Sequence, residues 1–189
     1  MLEWKYRWPA SRILCFEPDP YAFEMLTANI EKNDLPNVTC VCAAISDTAG
    51  TALFHGEIHR GADSRGNSLR PEWGKRENTN QTQVRCLPLS DYLNNEKVAF
   101  LKIDIEGMEE AVLRQISPFL GNVNAAYIEV HGTDALQPAN SVERIRQILL
   151  DAEFDIEIEQ RFQPHALPPH LQCWQQKTNA MQSQILCWR

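Results

Sequence analysis

Apolar residues in this chain fall into short runs separated by stretches with helical spacing. Ile13, Leu14, Cys15 and Phe16 form the first run, which predicts a β-strand. Phe23, Leu26 and Ile30, with Ala22 or Met25, repeat at helical intervals and predict a helix over 21–32, ended by the turn cluster Asn33-Asp34-Leu35-Pro36-Asn37. A second run, rich in β-branched residues and cysteine, covers 38–44. A turn follows at 46–50, and 51–55 reads as a short strand of a hairpin. Residues 56–83 are polar and rich in Gly, Asn and Arg. That exceeds the roughly 12–15 residues of an ordinary structureless connection, which marks the segment as functional or mobile.

Beyond it, 84–87 predicts a return strand, and Pro88-Leu89-Ser90-Asp91 opens a short helix through Leu93. Residues 98–104 are almost continuously apolar, as expected of a strand covered on both faces. A helix over 109–120 carries the stripe Val112, Leu113 and Ile116, and 125–130 predicts the next strand. Ser141 caps a helix over 141–152 whose apolar face is Val142, Ile145, Ile148 and Leu149. The final strands are placed at 154–158 and 183–188, with a proline-broken loop at 164–176 between them. Strands alternating with helices in this way predict an α/β fold with a mostly parallel sheet covered on both sides.

The 189 residues suffice for one domain with a substantial core. A net charge of −7 argues against a general nucleic-acid or anionic-membrane binder. No apolar run approaches the roughly 20 residues of a membrane span. Trp4-Lys5-Tyr6-Arg7-Trp8 mixes charge into its aromatics, unlike a signal-peptide core, so a cytoplasmic location is expected. Cys15, Cys40, Cys42, Cys86, Cys173 and Cys187 are accordingly expected to be reduced core thiols rather than three disulfides.

Ligands of open α/β sheets bind beyond the carboxyl ends of the strands. Three predicted strands end in acids there: Glu17, Asp104 with Glu106, and Glu129 with His131. Glu17 closes the first run and is followed by Pro18-Asp19-Pro20 and a helix, which fits a βα junction whose acid accepts hydrogen bonds from ribose hydroxyls. One such acid is equally a helix cap; three on one rim argue for a site. A dinucleotide oxidoreductase is disfavoured, because no G-x-G-x-x-G follows any strand.

Several of these segments occur as a recognisable series. Phe16-Glu17-Pro18-Asp19-Pro20, Asn29-Ile30 with Asn33, Leu101-Lys102-Ile103-Asp104-Ile105-Glu106-Gly107 and Ile128-Glu129-Val130-His131 resemble the successive motifs of the FkbM family of S-adenosylmethionine-dependent methyltransferases. Gln184-Ile185-Leu186-Cys187-Trp188 is similar to that family's last strand. The resemblance implies a single domain over 1–189 with a Rossmann-like class I sheet, mostly parallel with an antiparallel C-terminal strand. It departs at the front. No Asp-x-Gly-Ala-Asn-x-Gly type loop precedes Glu17, and 4–12 resembles the tail of the helix after that loop, so the fold is expected to be N-terminally truncated.

Carried over by position, the resemblance implies S-adenosyl-L-methionine as cofactor, with Glu17 on its ribose, Asp19 nearby, Ala44, Ile45 and Ser46 approaching the adenine, and Asp104 beside the methionine moiety and the acceptor. The implied reaction is methylation of a hydroxyl on a glycan, lipid or secondary metabolite. Transfer from a sulfonium is an in-line displacement, so the protein supplies position and a base. His131 is the first candidate base and Asp104 the second. Asp19 has a competing reading as the cap of its helix, and Asp47 as a turn former.

Asp104, Glu106, Glu129 and His131 also have the donor types of a Mg²⁺ or Mn²⁺ site. The simpler expectation is no resident metal, with Glu106 and Glu129 paired to Lys102 or helix N–H groups, while Lys102 itself is expected to point away from the site. Arg60, Arg65, Arg70, Lys75 and Arg76 give the long polar segment a positive bias, read as a solvated loop. His165, His170 and Cys173 lack a fourth ligand at zinc spacing. The competing functional reading is a non-catalytic or incomplete remnant that binds no cofactor.

Overall fold

The computed structural model describes residues 2–61, 66–73, 80–93, 96–160 and 180–189. Its elements, in chain order, are α1 (Leu2–Arg7), β1 (Ile13–Phe16), α2 (Pro20–Lys32), β2 (Val38–Val41), β3 (Ala44–Ser46), β4 (Gly50–His55), β5 (Gln81–Pro88), α3 (Ser90–Leu93), β6 (Leu101–Ile103), α4 (Glu109–Ile116), β7 (Ala125–Gly132), α5 (Val142–Asp151), β8 (Asp155–Gln160) and β9 (Met181–Trp188). A 3₁₀ segment, Ser117–Asn122, extends α4.

The fold is mixed α/β, with three sheets among the described residues: β1-β2, β3-β5-β4 and β6-β7-β9-β8. Pairing is parallel in β1·β2, β3·β5 and β6·β7, and antiparallel in β4·β5, β7·β9 and β8·β9. The C-terminal strand is therefore antiparallel to both neighbours, as the sequence predicts. Among the described residues parallel pairs do not predominate, because the hairpin β4-β5 and the return of β8 and β9 each add antiparallel ladders.

Two expected elements divide. The run 38–44 becomes β2 and β3 in different sheets, since Ala43 N–H turns back to the Val41 carbonyl and Ala44 takes Cys86 as its partner. The apolar run 98–104 contributes only Leu101–Ile103 to the ladder, with Val98 bridging separately to Val123.

The main core lies between the β6–β9 sheet and helices α4 and α5. Leu113, Ile116, Ile128, Ile145, Leu149 and Ile185 are fully enclosed there. Each such side chain contributes about 1.5–3 kcal/mol by leaving water. Helix α2 has no fully buried residue and is held at its start: Asp19 accepts from the Tyr21 and Ala22 amides, and Pro20 opens the first turn. At the front of the chain Trp4 stacks on Phe100 with ring centroids 4.9 Å apart, and buried Lys5 donates to the Pro9 and Ser11 carbonyls at 2.6 and 2.8 Å. Cys15, Cys40, Cys42, Cys86 and Cys187 form no disulfide, with Cys42 exposed rather than in the core. Burial pushes the Cys15 and Cys187 thiols up to about 11. Among the described residues no helix is long and apolar enough to cross a membrane.

Candidate active site

The ends of β1, β3 and β6 open onto one cavity of about 280 Å³. Glu17 and Pro18 form one wall after β1, Ala43, Ala44 and Ile45 a second, and Asp104, Ile105 and Glu106 a third after β6. The polar segment supplies Asn67 and Leu69. Strand ends gather ligand groups because each chain must turn there, exposing backbone and side chains beyond the sheet.

Three of the expected cofactor residues, Glu17, Ala44 and Ile45, line the same cavity as Asp104. Asp19 and Ser46 are not among the lining residues. Asp19 is buried as the cap of α2, and Ser46 Oγ donates to Asp47 3.1 Å away. Glu17 Oε1 accepts from the Asp19 amide at 2.9 Å, which fixes the carboxylate at the mouth of the junction. Burial is the main influence on Glu17; it raises the carboxyl above its ordinary value, and the nearby Asp19 charge adds to the rise against the Asp19 amide.

Beneath Asp104 lies a buried polar network. His131, on β7, is almost fully enclosed, and its Nδ1 stands 3.0 Å from Glu109 Oε1. Glu109 is wholly buried at the first turn of α4, where its carboxylate accepts from Gly107 N–H at 3.1 Å and from Asn140 Nδ2 at 2.6 Å. Asn140 Nδ2 also donates to the His131 carbonyl at 2.7 Å. A buried carboxylate needs such partners, since an unpaired charge is strongly disfavoured in the interior. With Nδ1 so engaged, His131 Nε2 faces Glu106 Oε2 at 3.4 Å and Glu129 Oε1 at 3.7 Å.

His131 therefore sits behind the cavity wall, and Asp104 stands in it. Burial alone would lower the His131 pKa, but the Glu109 hydrogen bond and the charges of Glu109, Glu106 and Asp104 push it up to about 9. Glu106 moves the other way from its usual acidity: burial raises it, against the His131 charge that lowers it.

Glu106 has φ of +53°, a left-handed conformation disfavoured for a side chain of its size, and Gly107 follows at +105°. This tight turn brings the Glu106 carboxylate back over β7. The polar segment secures it: Ser68 Oγ donates to the Glu106 carbonyl, and the Trp73 indole donates to the Glu106 side chain. Trp73 also meets the His131 ring edge-on at 4.9 Å between centroids.

Several sequence expectations change here. Lys102 does not point away; its Nζ lies 2.6 Å from Asp104 Oδ2, because residues two apart on a strand share a face. Glu129 takes a hydrogen bond from Gln182 rather than from Lys102. Arg60 pairs with Glu24 at 2.7 Å and lies over the Tyr21 ring, and Arg70 Nε contacts Met108 Sδ, so neither is a free cation of the loop. Arg65, Lys75, Arg76, His165, His170 and Cys173 lie outside the described residues.

Glu109, Asn140, Asn67 and Trp73 were not singled out by the sequence. Glu109 left a signal, because it shares the i, i+4, i+7 stripe of Leu113 and Ile116, where a carboxylate must be buried. Trp73 and Asn67 left none within a long polar run.

Comparison with known proteins fits this arrangement. Residues 2–156 match the methyltransferase FkbM domain. The chain belongs to the FkbM methyltransferase family. A curated relative, "Methyltransferase 1" of Beauveria bassiana (strain ARSEF 2860), is 31% identical over 126 residues, covering 58% of this chain and 51% of that protein. The chain thus spans about half the length of that relative. No solved structure matches.

Proposed function

We propose that this FkbM-family chain is an S-adenosylmethionine-dependent O-methyltransferase acting on a glycan, lipid or secondary-metabolite hydroxyl. The observation that carries the reading is the single cavity shared by Glu17, Ala43 to Ile45 and Asp104. A carboxylate able to accept two hydroxyls, a small apolar wall and an acid at the far end suit a nucleoside with a reacting group attached. β1 and β6 end at this cavity without pairing with each other. The reading takes β2-β1 and β6-β7-β9-β8 as the two halves of a Rossmann-like class I sheet.

When bound, S-adenosylmethionine supplies a methyl group on a positively charged sulfur. The chain's own residues do the rest. Glu17 would accept from the cofactor's ribose hydroxyls, and Ala44 and Ile45 would pack on its adenine. Asp104 would hold the acceptor hydroxyl and take its proton as that oxygen is methylated. His131, through Nε2, holds the Asp104–Glu106 group in place and balances its charge. The net charge of −7 favours an acceptor other than a nucleic acid.

Calorimetric titration of the full chain with S-adenosylmethionine tests the cofactor. Binding in the micromolar range, weakened at least tenfold by Glu17→Gln, is expected. Among the described residues one edge of β1 and one edge of β6 receive no strand, which favours one rival, a fold remnant that binds no cofactor. The absence of heat at millimolar ligand would establish that rival for this chain.

A further inference from the structure

We propose that Asp104, Glu106 and His131 form a binding site for one divalent cation of the Mn²⁺ or Mg²⁺ type at the acidic end of the cavity. The inference rests on the methyltransferase reading only for what the cation does, not for where it binds.

The donor set is two carboxylate oxygens and one imidazole nitrogen, all within 4.8 Å of one another. Hard oxygen donors with one imidazole suit a cation on the border between those two preferences. The separation of the donors favours a cation over a proton. A charge-assisted N–H···O bond closes to about 2.7–2.9 Å. His131 Nε2 stands 3.4 Å from Glu106 Oε2. Ligand atoms each about 2.1 Å from one cation sit about 3.0–3.4 Å apart at octahedral or tetrahedral angles.

A second observation points the same way. Metal-bound histidines almost always donate their other nitrogen to a carboxylate or carbonyl. The His131 side chain, 3% exposed, does so to Glu109, which is itself held by Gly107 and Asn140. The one nitrogen left to face outward is Nε2. Asp104 and Glu106 reach the cavity while His131 closes the floor, so ligand positions opposite the protein donors open towards the acceptor. A cation there would bind the acceptor oxygen and lower the pKa of its hydroxyl, easing transfer of the proton to the Asp104 oxygen that does not bind the cation. The set is narrower than the sequence suggests: Glu129 is outside the group of donors gathered within 4.8 Å of one another.

The test uses Mn²⁺ alone with the full chain, followed by electron paramagnetic resonance and by quenching of Trp73 fluorescence. One equivalent should bind in the micromolar range, at least tenfold more weakly in Asp104→Asn and in Glu106→Gln, and unchanged in Glu17→Gln. Both test residues are partly exposed, and thermal melts confirm that the variants fold. Equal Mn²⁺ affinity in wild type and both variants, or no stoichiometric binding, overturns the cation site even if S-adenosylmethionine binds. Stoichiometric Mn²⁺ binding without cofactor binding upholds the site and overturns the methyltransferase reading alone.

Discussion

Glu109 Oε1 lies 3.0 Å from Nδ1 of His131, and both side chains are closed off from solvent. The pair joins the start of α4 to the end of β7, so it fixes the orientation of the imidazole from below. Glu109→Gln puts an amide where two acceptor oxygens meet the Gly107 and Asn140 donors. Leaving a donor facing a donor in the interior costs about 3 kcal/mol. For a domain of this size the melting temperature should fall by about 6–12 °C, measured by circular dichroism.

Glu17 accepts hydroxyls best when ionised, and its carboxyl is raised above the usual value of 4.5 by burial. Cofactor affinity should therefore begin to fall, as pH is lowered, earlier than for an exposed glutamate. Titrations between neutral pH and the lower limit of stability should show this loss in the wild type. The Glu17→Gln variant should bind about tenfold or more weakly, some 1.4 kcal/mol or more, with a flat profile over the same range.

A methyl group at Gly56 would fall 1.9 Å from Asn67 Oδ1, and Gly56 has φ of +152°. Asn67 is buried in the cavity wall and cannot swing into solvent without opening it. Gly56→Ala should lower stability by about 2 kcal/mol and weaken ligand binding. Adding Asn67→Ala should recover part of the lost stability. In a double-mutant cycle of chemical denaturation, simple additivity would show that the two positions are not coupled.

Glu110 ties α4 to α5. It accepts from Arg144 at 2.7 Å, Arg114 at 2.6 Å and the Ser141 amide at 2.8 Å. Burial acts to raise its carboxyl, but the Arg144, Arg114 and Ser141 hydrogen bonds outweigh it and hold it below 4.5. A lowered folded-state value means that this stabilisation is complete above about pH 4.5 and is lost as pH falls through the folded value. Unfolding in urea along a pH series should show a steeper loss in the wild type below pH 4.5 than in Glu110→Gln, which starts less stable.

Much of the scaffold was readable because burial imposes period. The stripe Val112, Leu113 and Ile116 marked α4, and Ser141 marked the start of α5. Acids after apolar runs located Glu17, Asp104 and Glu106 at strand ends. What escaped depended on contacts between distant segments. The polar run contains no periodic signal, yet it sends Ser68 and Trp73 to Glu106. Asp19 carried two local meanings, and the first-turn amides of α2 selected the cap. Lys102 and Asp104 needed only correct strand parity.

The amides of Ile13 and Glu17 donate to the Asn37 and Val41 carbonyls, so alternation along the strand aims those of Leu14 and Phe16 to the opposite edge, where no described strand receives them. β1 is thus protected from solvent exchange on alternate residues only. Deuterium should enter Leu14 and Phe16 well before Ile128 or Ile185, which lie in the doubly paired strands β7 and β9. Glu17 and Asp104 sit at the ends of strands that share no ladder. A ligand spanning both would act as a clasp between two separately opening units, and slowed exchange in β1 on its addition would measure the strength of that clasp.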